Sequence, residues 1–71
     1  MDELLRRLLL NRYVEARRWL EQNNGRVQRT LEGSRERVVI ALPSGVRSGF
    51  VVDEPRDFEE GVVLAVDEMR G

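Results

Sequence analysis

Two apolar-rich stretches within residues 37–52, Arg-Val-Val-Ile-Ala-Leu-Pro-Ser-Gly-Val-Arg-Ser-Gly-Phe-Val-Val, lie on either side of a Pro43-Ser44-Gly45 break. A period of two sends successive side chains to opposite faces of a strand, so the stretch predicts strands at about 37–42 and 46–52 joined by a three-residue loop. Such a loop combines a type I turn with one left-handed residue. Pro43 presets φ at the first turn position, and Gly45 takes the left-handed one without a Cβ clash. The loop then pairs Leu42 with Val46, Ile40 with Ser48 and Val38 with Phe50. Val38, Ile40, Leu42, Val46, Phe50 and Val52 share an oily face, and Arg37, Val39, Ala41, Arg47, Gly49 and Val51 share the other.

Before this hairpin the period changes from two to 3.6. Met1, Leu4, Leu5, Leu8, Leu9, Tyr13, Ala16, Trp19 and Leu20 fall on one broad stripe at 100° per residue, which predicts a helix over about 2–22. Asp2 can cap its first turn, and Asn23-Asn24-Gly25 ends it, with Gly25 suited to the left-handed position. Asp2/Arg6, Glu3/Arg7 and Arg17/Glu21 stand four residues apart, a spacing that supports a helix by a few tenths of a kcal/mol per pair. The stripe is the natural cover for the oily face of the hairpin. Arg12 interrupts it and would need a partner if buried. Leu10 and Val14 point away from the stripe and form a candidate subunit contact.

Residues 26–31 alternate less cleanly and predict a further strand. A two-residue Gly33-Ser34 loop sets Val27 opposite Ile40, Arg29 opposite Val38 and Leu31 opposite Glu36, which brings Val27 and Leu31 to the oily face. On the other face Arg26 lies opposite Ala41, Gln28 opposite Val39 and Thr30 opposite Arg37. Residues 53–60 read as a loop because Pro55 blocks a strand, with Phe58 tucked against the end of the core. The apolar run 61–66 reads as a strand buried on both faces. The expected fold is therefore a single α+β domain over 1–71, an N-terminal helix packed on a four-stranded antiparallel meander that could close into a small, partly open barrel.

Composition narrows what such a domain can do. With 71 residues the core is small, and with no cysteine no disulfide can staple it, which leaves self-association as the available support. The absence of histidine removes the usual zinc ligand and general base. The Leu8-Leu9-Leu10 run is too short for a signal peptide and no stretch can span a bilayer, so a cytoplasmic chain is expected, with no membrane partner. The net charge of −1 hides an asymmetry. Residues 1–50 hold ten arginines against six acids, and residues 51–71 hold seven acids against two arginines.

Few constellations could carry chemistry. Asp53, Glu54, Asp57, Glu59 and Glu60 lack the spacing of a calcium loop. Ser34, Ser44 and Ser48 have no histidine to activate them, and the glycines make no phosphate cradle. No catalytic residue, cofactor site or metal site is expected, and the chain does not read as an enzyme. The remaining candidate is the second sheet face, where Arg26, Gln28, Arg37 and Arg47 surround small residues in a layout suited to phosphate or carboxylate.

Two partial resemblances lie on the hairpin. Val38-x-Ile40-x-Leu42-x-x-Gly45 followed by Gly49-x-Val51-x-Asp53 is similar to the first motif of Sm-like proteins, small ring-forming barrels that bind RNA. Here a strand separates helix from motif and no second motif follows Val66, so the RNA site is not carried over. Leu42-Pro43-x-x-Val46-Arg47-x-x-Phe50 resembles part of swapped-hairpin DNA-binding regulators, which implies a short helix where Gly45 and Gly49 disfavour one. The expected function is a non-catalytic binding or regulatory module acting as a homo-oligomer through protein–protein contacts. The alternative is a small nucleic-acid-binding protein using the arginine-bearing face.

Overall fold

A computed structural model of the chain describes residues 3–71. Its elements are α1 (Glu3–Gln22), β1 (Arg26–Glu32), β2 (Arg35–Ala41), β3 (Arg47–Val52) and α2 (Pro55–Arg70). The strands form one antiparallel sheet in the order β1-β2-β3. Val38 and Ile40 of β2 are buried together with Ala16 and Leu20 of α1 and Val62, Val63, Ala65 and Val66 of α2. Both helices thus cover the same sheet face, and the other face stays open. The expected α+β class, N-terminal helix and antiparallel sheet are present. The fourth strand and any barrel it would help close are not, because residues 61–66 belong to α2.

The register follows from the turns. Gly45 sits at φ 98°, its N–H bonds the Leu42 carbonyl at 2.9 Å, and the Leu42 N–H bonds the Val46 carbonyl at 2.9 Å. This is the three-residue loop expected from Pro43-Ser44-Gly45, and no short helix forms there. Val38 consequently faces Phe50 and Ile40 faces Ser48. The two-residue turn at Gly33-Ser34 sets Val27 against Ile40, Arg29 against Val38 and Leu31 against Glu36, as alternation required.

Residues 53–70 differ most from expectation. Pro55 opens α2 at a first-turn position, where its missing N–H costs nothing and its fixed φ already suits a helix. The Asp57 carboxylate accepts the N–H groups of Glu54 at 2.9 Å and Asp53 at 3.1 Å, which satisfies donors at the helix entrance. Phe58, Val62, Ala65, Val66 and Met69 then turn toward the core, a 3.6-residue spacing that overrides the strand preference of valine. Gly61 lets this helix close on β3, because a Cβ there would run into the Phe50 ring.

α1 ends as the asparagines suggested, with one change. Asn24 rather than Gly25 takes the left-handed position, at φ 56°. The Gly25 N–H bonds the Leu20 carbonyl at 2.7 Å and the Asn24 N–H bonds that of Glu21 at 3.3 Å, closing the last turn. Glu3 and Arg7 pair at 3.6 Å, whereas Arg17 and Glu21 form no ion pair among the described residues. Arg12 finds its partner on the other helix, Asp67 of α2, at 2.6 Å. The expected Asp2 cap, the Asp2/Arg6 pair and the place of Met1 in the stripe lie outside the described residues.

Candidate interaction surfaces

On the open sheet face, side chains follow from strand alternation. Arg26 and Arg47 flank Ala41, Gln28 and Gly49 flank Val39, and Thr30 and Val51 flank Arg37. The structure thus brings the expected residues Arg26, Gln28, Arg37 and Arg47 onto one surface. It does not make them equivalent. The Arg37 guanidinium lies 3.2 Å from the Glu32 carboxylate, and Arg35 lies 3.1 Å from that of Asp53. Arg26 and Arg47 have no carboxylate partner among the described residues.

On the helix-covered face, β1 carries a charge among apolar neighbours. Arg29 hydrogen-bonds Glu36 at 2.8 Å, and its guanidinium carbon lies 4.2 Å from the centre of the Phe58 ring. The Glu36 hydrogen bond holds the Arg29 pKa above the ordinary arginine value. Phe58 also meets Tyr13 at 6.0 Å and Phe50 at 6.4 Å between ring centres, so its expected place at the end of the core is correct. Sequence reasoning missed the Arg29 stack, since it left Phe58 in a loop.

Burial departs from expectation over the start of α1, at Leu31 and at Leu64, the last of which is 65% exposed although residues 61–66 were expected to be buried on both faces. Leu4, Leu5 and Leu8 are 62%, 60% and 51% exposed, although the stripe assigned them to the core. Leu31 faces the same sheet side yet is 77% exposed. Length explains the leucines of α1. A 20-residue helix spans about 30 Å, and a 7-residue strand about 23 Å. Leu20 and Arg17 lie beside Val27, while Tyr13 reaches Phe58 alongside Arg29, so α1 runs back along β1 and its first turns pass the end of the sheet. Comparing those two lengths in the sequence would have revealed the overhang.

The remaining candidates are placed as follows. Leu10 is exposed at the rim of a groove with Arg6, Leu9, Glu54, Pro55, Arg56 and Glu59, and Val14 is about half exposed. Neither enters the core cluster. The Asp57 carboxylate serves the α2 entrance, and the hydrogen bonds from the Glu54 and Asp53 amides hold its pKa below the usual carboxylate value. Asp53 meets Arg35 at 3.1 Å, and Glu54 meets Arg56 at 3.8 Å. Among the described residues no group of three or more acids could hold a metal ion, and no helix is long and apolar enough to cross a membrane. No protein-family model matches the chain, and comparison with curated proteins and with solved structures returned no match.

Proposed function

We propose that the chain is a non-catalytic binding or regulatory module that acts as a homo-oligomer through protein–protein contacts. The observation that carries this reading is the exposure of Leu4, Leu5 and Leu8 within two turns of α1, in a domain with eight buried apolar residues among those described. Covering the exposed half of each leucine is worth about 1 kcal/mol. Three together match what a small core lacks. Leu10 and Val14 form a second apolar flank on the same helix.

The experiment is size-exclusion chromatography with light scattering on the native chain and on a Leu4→Gln, Leu8→Gln variant. Association should weaken at least tenfold while far-ultraviolet circular dichroism stays the same. Unchanged association would remove these leucines from the contact. A parallel Leu10→Glu, Val14→Glu variant separates the two flanks. The second reading, binding of a polyanion, is favoured by Arg26 and Arg47, which stand on the open face without carboxylate partners. It requires a steep salt dependence of nucleic-acid binding that Arg26→Ala and Arg47→Ala make shallower.

A further inference from the structure

The open edge of β1 reads as self-complementary. The Leu42–Val46 hydrogen bond fixes the direction of every backbone group in the sheet. In antiparallel pairing the residues alternate, so the even-numbered residues of β2 bond β3 and the odd-numbered ones bond β1. Arg35, Arg37, Val39 and Ala41 therefore engage Glu32, Thr30, Gln28 and Arg26. Val27, Arg29 and Leu31 are left with their N–H and C=O groups directed at the open edge. Their side chains all lie on the helix-covered face, so a second β1 can continue the sheet with its helices on the same side.

Building on the homo-oligomer reading above, we propose that two copies of this chain pair edge to edge through β1, antiparallel and centred on Arg29. This register sets Arg26 of one copy against Glu32 of the other, Val27 against Leu31, and Gln28 against Thr30. Opposite charges, apolar side chains and polar side chains each meet their own kind of partner, the arrangement that stabilises a cross-strand contact. Centring on Gln28 would instead set Val27 against Arg29, and centring on Thr30 would set Leu31 against Arg29. The open edge of β3 offers no such match, because its self-pairing about Gly49 sets Arg47 against Val51.

Two objections meet physical answers in the same residues. An inward-pointing charge on an edge strand ordinarily repels a second strand, and here Arg29 would face Arg29. Each Arg29, however, already hydrogen-bonds Glu36 at 2.8 Å and lies over Phe58, so each copy brings a neutralised pair to the axis. Glu32 is engaged by Arg37, but both side chains are 57% exposed, and such pairs hold weakly enough for Glu32 to be shared with a second cation. The pairing covers Leu31, the most exposed large apolar residue among those described. A two-fold contact of this kind closes on itself and stops at a dimer.

The register can be read by disulfide trapping, because the native chain has no cysteine. Gln28 and Thr30 of opposite copies form a pair without backbone hydrogen bonds, with Cα atoms about 4.5 Å apart, within disulfide reach. Identical positions lie on the diagonal at about 7–8 Å, too far to bridge without backbone movement. Mixing a Gln28→Cys chain with a Thr30→Cys chain under mild oxidation should therefore give a crosslinked dimer. Either chain alone should give at least tenfold less. Leu31→Glu, placed at an exposed position, should weaken association of the native chain at least tenfold and leave the dichroism spectrum unchanged. Chains that associate but crosslink no better in the mixture overturn the β1 pairing and leave the homo-oligomer reading standing. Chains that are monomeric throughout overturn both.

Discussion

Both helices carry an apolar stripe, and the two stripes meet opposite fates. α2 buries Val62, Val63, Ala65 and Val66 and rests on β3 across Gly61. α1 buries Ala16 and Leu20 and holds Leu9, Tyr13 and Trp19 half-covered, but leaves its first two turns of leucine in water. An apolar stripe is thus necessary for burial but not sufficient. What lies beneath it decides. α2 commits its valines to the core and leaves only Leu64 of its large apolar residues exposed, whereas the start of α1 leaves three leucines exposed, so charges placed on the two helices should fail in different ways.

The largest effect is expected in α2. Val62→Asp places an unpaired carboxylate at a position with no exposure and should cost about 4 kcal/mol or more. In a domain this small that abolishes the cooperative thermal transition, read by dichroism. A variant that melts like the native chain would mean that α2 is not part of the core. Gly61→Ala comes next. It gains about 1 kcal/mol of helix propensity but must displace the Phe50 ring, and overpacking costs about 1–3 kcal/mol. A net loss of about 1 kcal/mol in urea denaturation is expected, and a gain would show that the ring moves freely.

How much of this was legible in the sequence differs between the same two regions. The hairpin was readable because Pro43-Ser44-Gly45 admits few loop geometries, and each geometry fixes one register. The register then placed Arg26, Arg37 and Arg47 on one face without further information. Residues 53–70 were misread because a short valine-rich run has no period of its own. Pro55 was taken as a break when it also marks a beginning. The cue that could have decided was wider than the run, with Asp57 three residues after Glu54, then Phe58, Val62, Ala65, Val66 and Met69 at helical spacing. The exposed leucines were misplaced for a different reason. Periodicity tells which way a side chain points, and only the lengths of neighbouring elements tell whether anything is there to meet it.

The α2 entrance supplies a pH-dependent comparison. The folded state holds the Asp57 pKa below its unfolded value, so its contribution is present at neutral pH and is lost as pH falls through the folded pKa. Unfolded aspartate titrates near about 4. Thermal stability should therefore drop below that pH, and Asp57→Asn should lower stability at pH 7 while flattening the acid dependence. Equal slopes for the two chains would remove Asp57 from the cap. The smallest expected change in stability is that of Leu4→Gln with Leu8→Gln, within about 0.5 kcal/mol. A larger loss measured on dilute protein would place those leucines in the fold of the single chain.

The most direct test is sedimentation equilibrium of the unmodified chain at physiological salt, from sub-micromolar to about 100 micromolar. A surface of exposed leucine and a self-complementary strand edge require the average mass to rise with concentration and level off at two chains. The mass of one chain across the whole range would contradict the homo-oligomer reading, and a mass that climbs past two without a plateau would contradict the closed β1 pairing.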